Sequence, residues 1–360
     1  MAGTKTTAMV LAAFLGAAVA AKTGWAQSST QTGTTKSSSA PAKSQAAKTA
    51  TKPNAATSRA ANSSVKKQKV SAKSASNKTA KRKPVVRTER GYNSMGTRLG
   101  LRSELSEIAL NSSAVLVVDQ HTGEVLLDKN PDVQLPIASI TKVMTAIVTL
   151  EADLPLSEVI TISKEDTQLE KYHGSRLRVG MKFTRAELLH LALMSSENRA
   201  AHALGRSYPG GLDAFVEAMN AKAAMLGMTN SKFVEPTGLS SNNQSTPRDL
   251  ARMVSAASEY PLIRQYSTDR DAIVRVGGRQ QQFRNTNALT RNDNWELGVS
   301  KTGFIRDAGK CLVMQATIDN QDVVIVMLDA QGSASRISDA ERIRRWLSTE
   351  KDRQSVPARS

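Results

Sequence analysis

The amino-acid composition changes abruptly near Gly91, and this change limits where the chain can fold. Residues 27–93 consist mainly of Ser, Thr, Ala, Lys and Asn, with almost no large apolar side chains. Such a segment cannot bury enough apolar surface to offset the loss of chain entropy on folding, so it is expected to be a disordered linker. A packed domain is therefore predicted only over residues 94–350, with a short polar tail at 351–360.

Residues 1–26 have the features of a secretory signal peptide. Lys5 supplies an early positive charge, residues 8–21 form an uncharged apolar run, and small residues flank Trp25. The run is shorter than the roughly 20 residues that a membrane-spanning helix needs. These features predict export to the periplasm, with a retained N-terminal anchor as the alternative.

Positive charge is concentrated in the linker. The chain carries a net charge of +17, and residues 27–90 hold 15 Lys and Arg against one acidic residue, Glu89. An exported protein rarely meets nucleic acid, so anionic wall polymers or lipid headgroups are the expected contacts of this basic segment. A solvated spacer without a fixed partner is the alternative.

The cysteine and histidine residues argue against thiol or disulfide chemistry and against a metal site. Cys311 is the only cysteine, so no intrachain disulfide can form, and its apolar neighbours predict a buried, unreactive thiol. His121, His173, His190 and His202 lack an H-E-x-x-H or comparable spacing, so no metal or other cofactor is expected. The sequence also lacks the G-x-S-x-G elbow of many Ser-His-Asp hydrolases.

The residue pattern after position 93 predicts an α+β domain. Strand signals occur near both ends and flank turn sequences, at 114–118 with 124–127, 272–276 with 280–283, and 312–318 with 323–328, and one more strand is predicted at 298–304. Helices are predicted between them and at the end, at 136–150, 188–193, 212–226 and 246–258, with a last helix capped at Ser338. The terminal strands are expected to pair into one antiparallel sheet on which the helices pack.

Three short polar motifs lie in this region: Ser139-Ile140-Thr141-Lys142, Ser196-Glu197-Asn198 and Lys301-Thr302-Gly303. None is specific alone, since Ser63 with Lys66, Ser240 with Asn242, and residues 22–24 fit the same three patterns. Their order and their predicted placement on a helix, a loop and a strand distinguish the first set.

The first motif can supply a nucleophile and its base. Ser139 is predicted in the first turn of an apolar helix, and a spacing of three places Lys142 on the same face. A serine hydroxyl needs an adjacent base to become a good nucleophile. Burial and the positive charge of Lys301 would lower the pKa of Lys142 and make a neutral amine available.

The other two motifs can complete a cleft. Ser196 can relay a proton to the leaving amine, and Asn198 can hold a substrate amide. Lys301 and Thr302 can bind a carboxylate, and Gly303 lets an extended substrate lie close to the strand. The backbone N–H groups of Ser139 and Phe304 are candidates for an oxyanion hole.

Taken together, the motifs resemble the penicilloyl-serine transferases, a group that includes penicillin-binding proteins and class A β-lactamases. Residues 136–145, 194–201, 236–239 and 300–304 with Cys311 are most similar to the low-molecular-mass D-alanyl-D-alanine peptidases, serine peptidase family S11, and the S-E-N version of the second motif resembles its endopeptidase branch. The resemblance covers roughly residues 112–347 and implies a β-lactamase/transpeptidase-like fold.

The resemblance also implies roles for individual residues. Ser139 would be the acyl-ester nucleophile, Lys142 the proton acceptor, Ser196 the catalytic relay and Lys301 a substrate-binding residue. Peptidoglycan stem peptides would be substrates, and β-lactams would be covalent inhibitors. Because no second β domain or amphipathic C-terminal anchor is evident, one catalytic domain is expected.

Cleavage of cross-links by an endopeptidase is the expected reaction, and carboxypeptidase trimming of pentapeptide stems is the alternative. A β-lactamase would need an additional carboxylate to hydrolyse the acyl-enzyme quickly, and no acidic residue lies in a matching context. A non-catalytic wall-binding protein, acting through its basic linker, is the alternative from another functional class.

Overall fold

The computed structural model describes residues 93–168 and 175–355, with side chains described up to 350. The signal peptide predicted at 1–26, almost all of the linker predicted at 27–93 and residues 356–360 of the predicted tail lie outside the described residues. Among the described helices, none combines the length and the apolar character needed to cross a membrane.

Five strands form one antiparallel sheet in the order β2-β1-β11-β10-β9. Their bounds are β1 Ala114–Asp119, β2 Val125–Lys129, β9 Glu296–Ile305, β10 Gly309–Ile318 and β11 Gln321–Ala330. The remaining strands pair two by two: β3 Leu135–Pro136 with β6 Gln244–Ser245, β4 Val159–Thr161 with β5 Lys182–Thr184, and β7 Asp271–Val276 with β8 Arg279–Arg284. The predicted pairing of the two terminal hairpins into one antiparallel sheet is confirmed.

The sheet is covered by helices on both faces. Leu116, Val313 and Val326 face the larger core, whereas Val117 and Ile325 face a second core under the last helix. Two covered faces explain why β1 and β11 are continuous apolar runs and do not alternate with polar residues. The α+β class predicted from the sequence is therefore confirmed.

Nine α-helices are described: α1 Met95–Arg98, α2 Thr141–Glu151, α3 Glu165–Gln168, α4 Arg185–Met194, α5 Asn198–Arg206, α6 Gly211–Met225, α7 Pro247–Ser258, α8 Pro261–Thr268 and α9 Ser333–Ser355. Three 3-10 turns occur within the described ranges, at Leu101–Ser103, Ala138–Ile140 and Ala288–Arg291. Helix α2 is buried on all sides from Thr141 to Thr149, which is typical of a helix at the centre of a domain. The second residue of α2, Lys142, is consequently inside the protein.

Two predicted helix starts are wrong. Pro136 pairs with Gln244 in a short ladder, and Ala138 has a left-handed φ of 50°, so α2 begins only at Thr141. Helix α9 begins at Ser333, so Ser338 is not its cap. The adjacent Asp339 accepts hydrogen bonds from the backbone N–H groups of residues 111 and 112, which fixes the entry to β1.

The predicted buried thiol of Cys311 is confirmed. The residue has no exposed surface and lies in β10 within the larger core. Burial raises the pKa of this thiol to about 12. The thiol therefore stays protonated at neutral pH and is a poor nucleophile.

A buried carboxylate joins α3 to α5. Asp166 is 1% exposed and accepts hydrogen bonds from the Ser163 backbone N–H at 2.7 Å and from Arg206 Nε at 3.1 Å, and its Oδ1 lies 2.7 Å from His202 Nδ1. Burial alone would raise the pKa of Asp166, but the hydrogen bonds from His202, Arg206 and Ser163 outweigh it and lower the pKa to about 2.

This depressed pKa predicts acid-sensitive stability. The carboxylate stabilises the fold fully above its unfolded pKa of 3.8, and the stabilisation, of about 2 kcal/mol, is lost as the pH falls towards 2. We expect the free energy of unfolding of Asp166→Asn to depend less on pH between 5 and 2.5 than that of the wild type, measured by urea titration. Glu165→Gln, at an exposed neighbour, is the control, and equal slopes for wild type and Asp166→Asn would contradict this role.

Candidate active site

The three motifs meet at one cavity of about 370 Å³. The residues that line it come from the 3-10 turn at Ala138–Ile140, the α4–α5 connection, β9, β10, the start of α9 and two loops. They are Ser139, Ser195, Ser196, Glu197, Asn198, Leu239, Thr286, Thr302, Gly303, Phe304, Lys310, Ser333 and Arg336. Lys142 and Lys301 are buried directly beside it. All eight site residues predicted from the sequence therefore lie at or next to the same cleft.

Ser139 and Lys142 are in hydrogen-bond contact. Ser139 lies in the 3-10 turn before α2, and Lys142 Nζ donates to its Oγ over 2.9 Å. The same amine donates to Asn198 Oδ1 and to the Thr237 carbonyl oxygen, each over 2.6 Å. The lysine is completely buried, and the two carbonyl-type acceptors fix its Nζ beside the serine.

Ser196 and Lys301 form a second hydroxyl–amine pair. Lys301 Nζ donates to Ser196 Oγ over 2.8 Å and to the Thr302 carbonyl over 3.0 Å. Burial, followed by the positive charges of Lys142 and Arg336, lowers the pKa of Lys301 well below its usual value. The charged forms of Lys142 and Lys301 therefore destabilise each other. The cleft favours a state in which one of these two amines is neutral.

Strand β9 passes close to the 3-10 turn that carries Ser139. A Cβ on Gly303 would lie 2.9 Å from the Ile137 carbonyl oxygen and 3.2 Å from the Ser139 backbone nitrogen. Glycine thus permits an approach that a larger residue would hinder. Next to it, the hydroxyls of Thr302 and Thr286 are 2.6 Å apart, and the Phe304 ring lies under the Lys310 ammonium at 3.5 Å.

The loop at 233–243 has a role in the site that the sequence motifs do not indicate. Its Glu235 carboxylate accepts hydrogen bonds from the backbone N–H groups of Thr237 and Gly238, both over 2.6 Å, and from Asn243 Nδ2 over 2.9 Å. This network fixes the Thr237 carbonyl that holds Lys142. Residues 236–239 carry part of the family resemblance, but the sequence does not show that the Thr237 backbone carbonyl is the group that contacts Lys142.

Two cationic side chains on the cavity wall were also missed. Lys310 comes from β10, and Arg336 comes from the first turn of α9, where its Nη1 donates to the Cys311 carbonyl over 2.8 Å. Neither residue belongs to a recognisable motif. Their position follows from strand pairing and from the early start of α9, which sequence analysis placed too late.

Comparisons with known proteins agree with this geometry. Residues 102–332 match the family described as Peptidase_S11, D-alanyl-D-alanine carboxypeptidase. A D-alanyl-D-alanine endopeptidase of Pseudomonas aeruginosa is 52% identical over 242 residues, covering 67% of this chain and 78% of the relative. An enzyme with the same description from Escherichia coli is 46% identical over 248 residues, covering 68% and 80%.

The fold comparison gives the same result. The crystal structure of the Streptomyces K15 DD-transpeptidase superposes with a TM-score of 0.62 at 28% identity, covering 67% of this chain and 98% of that protein. The β-lactamase/transpeptidase-like fold expected from the motifs is therefore confirmed. The family match over 102–332, the two relatives and the shared fold establish that the chain is a serine D-alanyl-D-alanine peptidase of the S11 family.

Proposed function

We propose that this protein is an endopeptidase that hydrolyses D-alanyl cross-links of peptidoglycan through an acyl-enzyme on Ser139. The observation that carries the proposal is the 2.9 Å contact between Lys142 Nζ and Ser139 Oγ inside the cleft bordered by Ser196 and Lys301. The endopeptidase description of the relatives at 52% and 46% identity supports this specificity.

Acylation follows from the contacts of Lys142. As a neutral amine it has two N–H bonds, which the Asn198 and Thr237 oxygens can accept, and its lone pair then faces the Ser139 hydroxyl. Ser139 Oγ attacks the D-alanyl carbonyl carbon while its proton moves to Lys142. The C–N bond then breaks, Ser196 relays a proton to the leaving amine, and an ester remains on Ser139.

Deacylation repeats the sequence with water. Water attacks the ester carbon and gives a proton to Lys142. The bond between the acyl carbon and Ser139 Oγ then breaks, Lys142 returns the proton to Ser139, and the acid product leaves. The backbone N–H groups of Ser139 and Phe304 are the proposed donors to the oxyanion in both steps. Because Oδ1 of Asn198 is bonded to Lys142, its Nδ2 group remains to donate to a substrate carbonyl.

The cationic wall fits the leaving group. In a D-alanyl cross-link the leaving amine lies next to a carboxylate, the same arrangement as in a terminal D-alanine. Lys310 and Arg336 line the cavity, where a cation and the Thr302 hydroxyl can bind that carboxylate. The carboxypeptidase reaction uses the same chemistry, and the family description and more distant relatives keep it as the second candidate.

The substrate places the enzyme outside the cytoplasm, in cell-wall remodelling. A signal peptide at 1–26 and a basic linker at 27–93 that contacts anionic wall polymers or membrane lipids remain proposals from the sequence, as does the extent of the catalytic domain, 94–350.

The specificity test uses purified muropeptides and the full mature chain. We expect cross-linked dimers to be converted to monomers with a kcat/KM roughly tenfold above that for D-alanine release from pentapeptide monomers. Ser139→Ala should be inactive on both substrates. Release of D-alanine with dimers untouched would select the carboxypeptidase reaction, rapid nitrocefin turnover would select a β-lactamase, and unchanged cleavage by Ser139→Ala would exclude the acyl-enzyme.

A further inference from the structure

Glu197 lies between two residues of the proposed machinery. Ser196 before it contacts Lys301, and Asn198 after it contacts Lys142. The Glu197 side chain is only 10% exposed and lines the cavity. A carboxylate this buried needs compensating partners, so its contacts carry information about its role.

Those contacts are made with a short segment, residues 175–177. Ser175 Oγ donates to Glu197 Oε2 over 2.6 Å, and Arg176 Nε lies 4.0 Å from Glu197 Oε1. One residue into α5, Arg199 Nη1 donates to the Leu177 carbonyl over 2.6 Å. The start of α5 and the segment are thus joined at two neighbouring points.

The same segment is fixed to the β7–β8 hairpin. Arg176 Nη1 donates to the Gln282 carbonyl over 2.5 Å, and its guanidinium lies 3.5 Å above the Phe283 ring. Leu177 is fully buried in the larger core. Glu197 is therefore bonded to a segment whose own position is set by a separate part of the domain.

The turn that Glu197 stabilises is conformationally unfavourable. Ser196 adopts a left-handed φ of 62°, a backbone conformation that residues other than glycine rarely adopt. Such a conformation persists only when surrounding contacts hold it. The Glu197 backbone N–H donates to the Leu191 carbonyl, and its side chain adds the contact to Ser175.

We propose that Glu197 is a positioning residue: by bonding to Ser175, it holds the turn at 196–198 so that Ser196 and Asn198 face Lys301 and Lys142. Residues 175–177 and the β7–β8 hairpin serve as the fixed support. The proposal rests on the proposed acyl-enzyme function, and it assigns Glu197 no contact with substrate and no proton transfer.

The test compares four proteins: wild type, Glu197→Ala, Ser175→Ala and the double variant. Acylation by a fluorescent penicillin is measured over a range of concentrations, which separates the acylation rate constant from binding. Each single variant is expected to lower the rate constant roughly tenfold or more with little change in binding, because misplaced groups slow the chemical step. The double variant should be no slower than the slower single variant, because both substitutions remove one shared contact.

Two further variants distinguish positioning from other roles. Glu197→Gln keeps an oxygen that can accept from Ser175, so it should retain most of the rate and an unchanged pH profile. Glu217→Ala, at an exposed acidic residue of α6, is the control for charge and should match the wild type. Thermal unfolding of every variant reports whether a slow rate reflects a loss of fold.

The outcomes separate this proposal from the proposed function. If Ser175→Ala is as fast as the wild type while Glu197→Ala and Glu197→Gln are equally slow, Glu197 acts on the substrate directly and the proposal is wrong. Additive effects of the two alanine substitutions would also overturn it. If the wild type is not acylated at Ser139, the proposed function itself fails.

Discussion

Replacing Lys142 by arginine is expected to slow acylation of Ser139 by a labelled penicillin by about 10³-fold, the contribution typical of a positioned general base. Arginine can still donate to the Asn198 and Thr237 oxygens that hold Lys142. Its guanidinium is not deprotonated at accessible pH, so it cannot accept the Ser139 proton. The initial rate of covalent labelling, followed by gel fluorescence, measures the effect.

Lys129→Arg is the matched control for this substitution. Lys129 is 3% exposed and donates to the carbonyls of Arg102 and Leu110, but it lies in β2, away from the cleft. The control reports the cost of enlarging a buried lysine and should be acylated at the wild-type rate if it folds. Acylation of Lys142→Arg within tenfold of the wild type would reject Lys142 as the base, whereas Ser139→Ala should show no covalent labelling at all.

Replacing Gly238 by alanine is expected to destabilise the protein by about 3 kcal/mol or more and to abolish most acylation. A Cβ at this position would lie 1.9 Å from the Ala138 carbonyl oxygen and 2.8 Å from the Ser139 backbone nitrogen. Both neighbours are backbone atoms of the 3-10 turn that carries Ser139, and they cannot rotate away as a side chain can. The new methyl group must therefore displace either Ser139 or the loop that carries the Thr237 carbonyl.

Gly123→Ala separates this clash from backbone strain. Gly123 has a φ of 74°, close to the 80° of Gly238, but a Cβ there would meet nothing within 4 Å. Gly123→Ala should therefore lower the free energy of unfolding by only about 1 kcal/mol, the cost of placing alanine in the left-handed conformation, and should leave acylation unchanged. Urea unfolding and penicillin labelling measure the two effects, and equal losses for the two variants would contradict a specific contact at Gly238.

Hairpins and motif order were readable from the sequence because they depend on short-range chemistry. The Thr122-Gly123 and Asp319-Asn320 turns lie between runs long enough to be strands, and the structure has hairpins at both places. Local signals failed where distant contacts compete with them. Pro136 favours a helix start, but its pairing with Gln244 and the left-handed Ala138 delay α2 until Thr141.

The same distinction applies to the candidate site, where some groups could be predicted from the sequence and others could not. Ser139, Lys142, Ser196 and Lys301 were identified from side-chain chemistry and motif order. The Thr237 carbonyl was not, because every residue has a carbonyl and only its orientation makes it a partner of Lys142. Arg336 was missed because it reaches the cavity through the packing of α9, far along the chain from the other groups.

The sequence by itself determined the chemical groups of this protein: a serine, two lysines and an amide, carried on segments whose patterns specify α+β structure. The tertiary structure decided which of those groups touch, since pairing of β9 with β10 and burial of α2 bring residues 139, 142, 198 and 301 into one cleft. The physical reason is that exclusion from water and a second nearby positive charge both lower a lysine pKa. Both conditions depend on surfaces contributed by residues more than a hundred positions apart, and Lys301, affected by burial and by Lys142, meets them only in the folded chain.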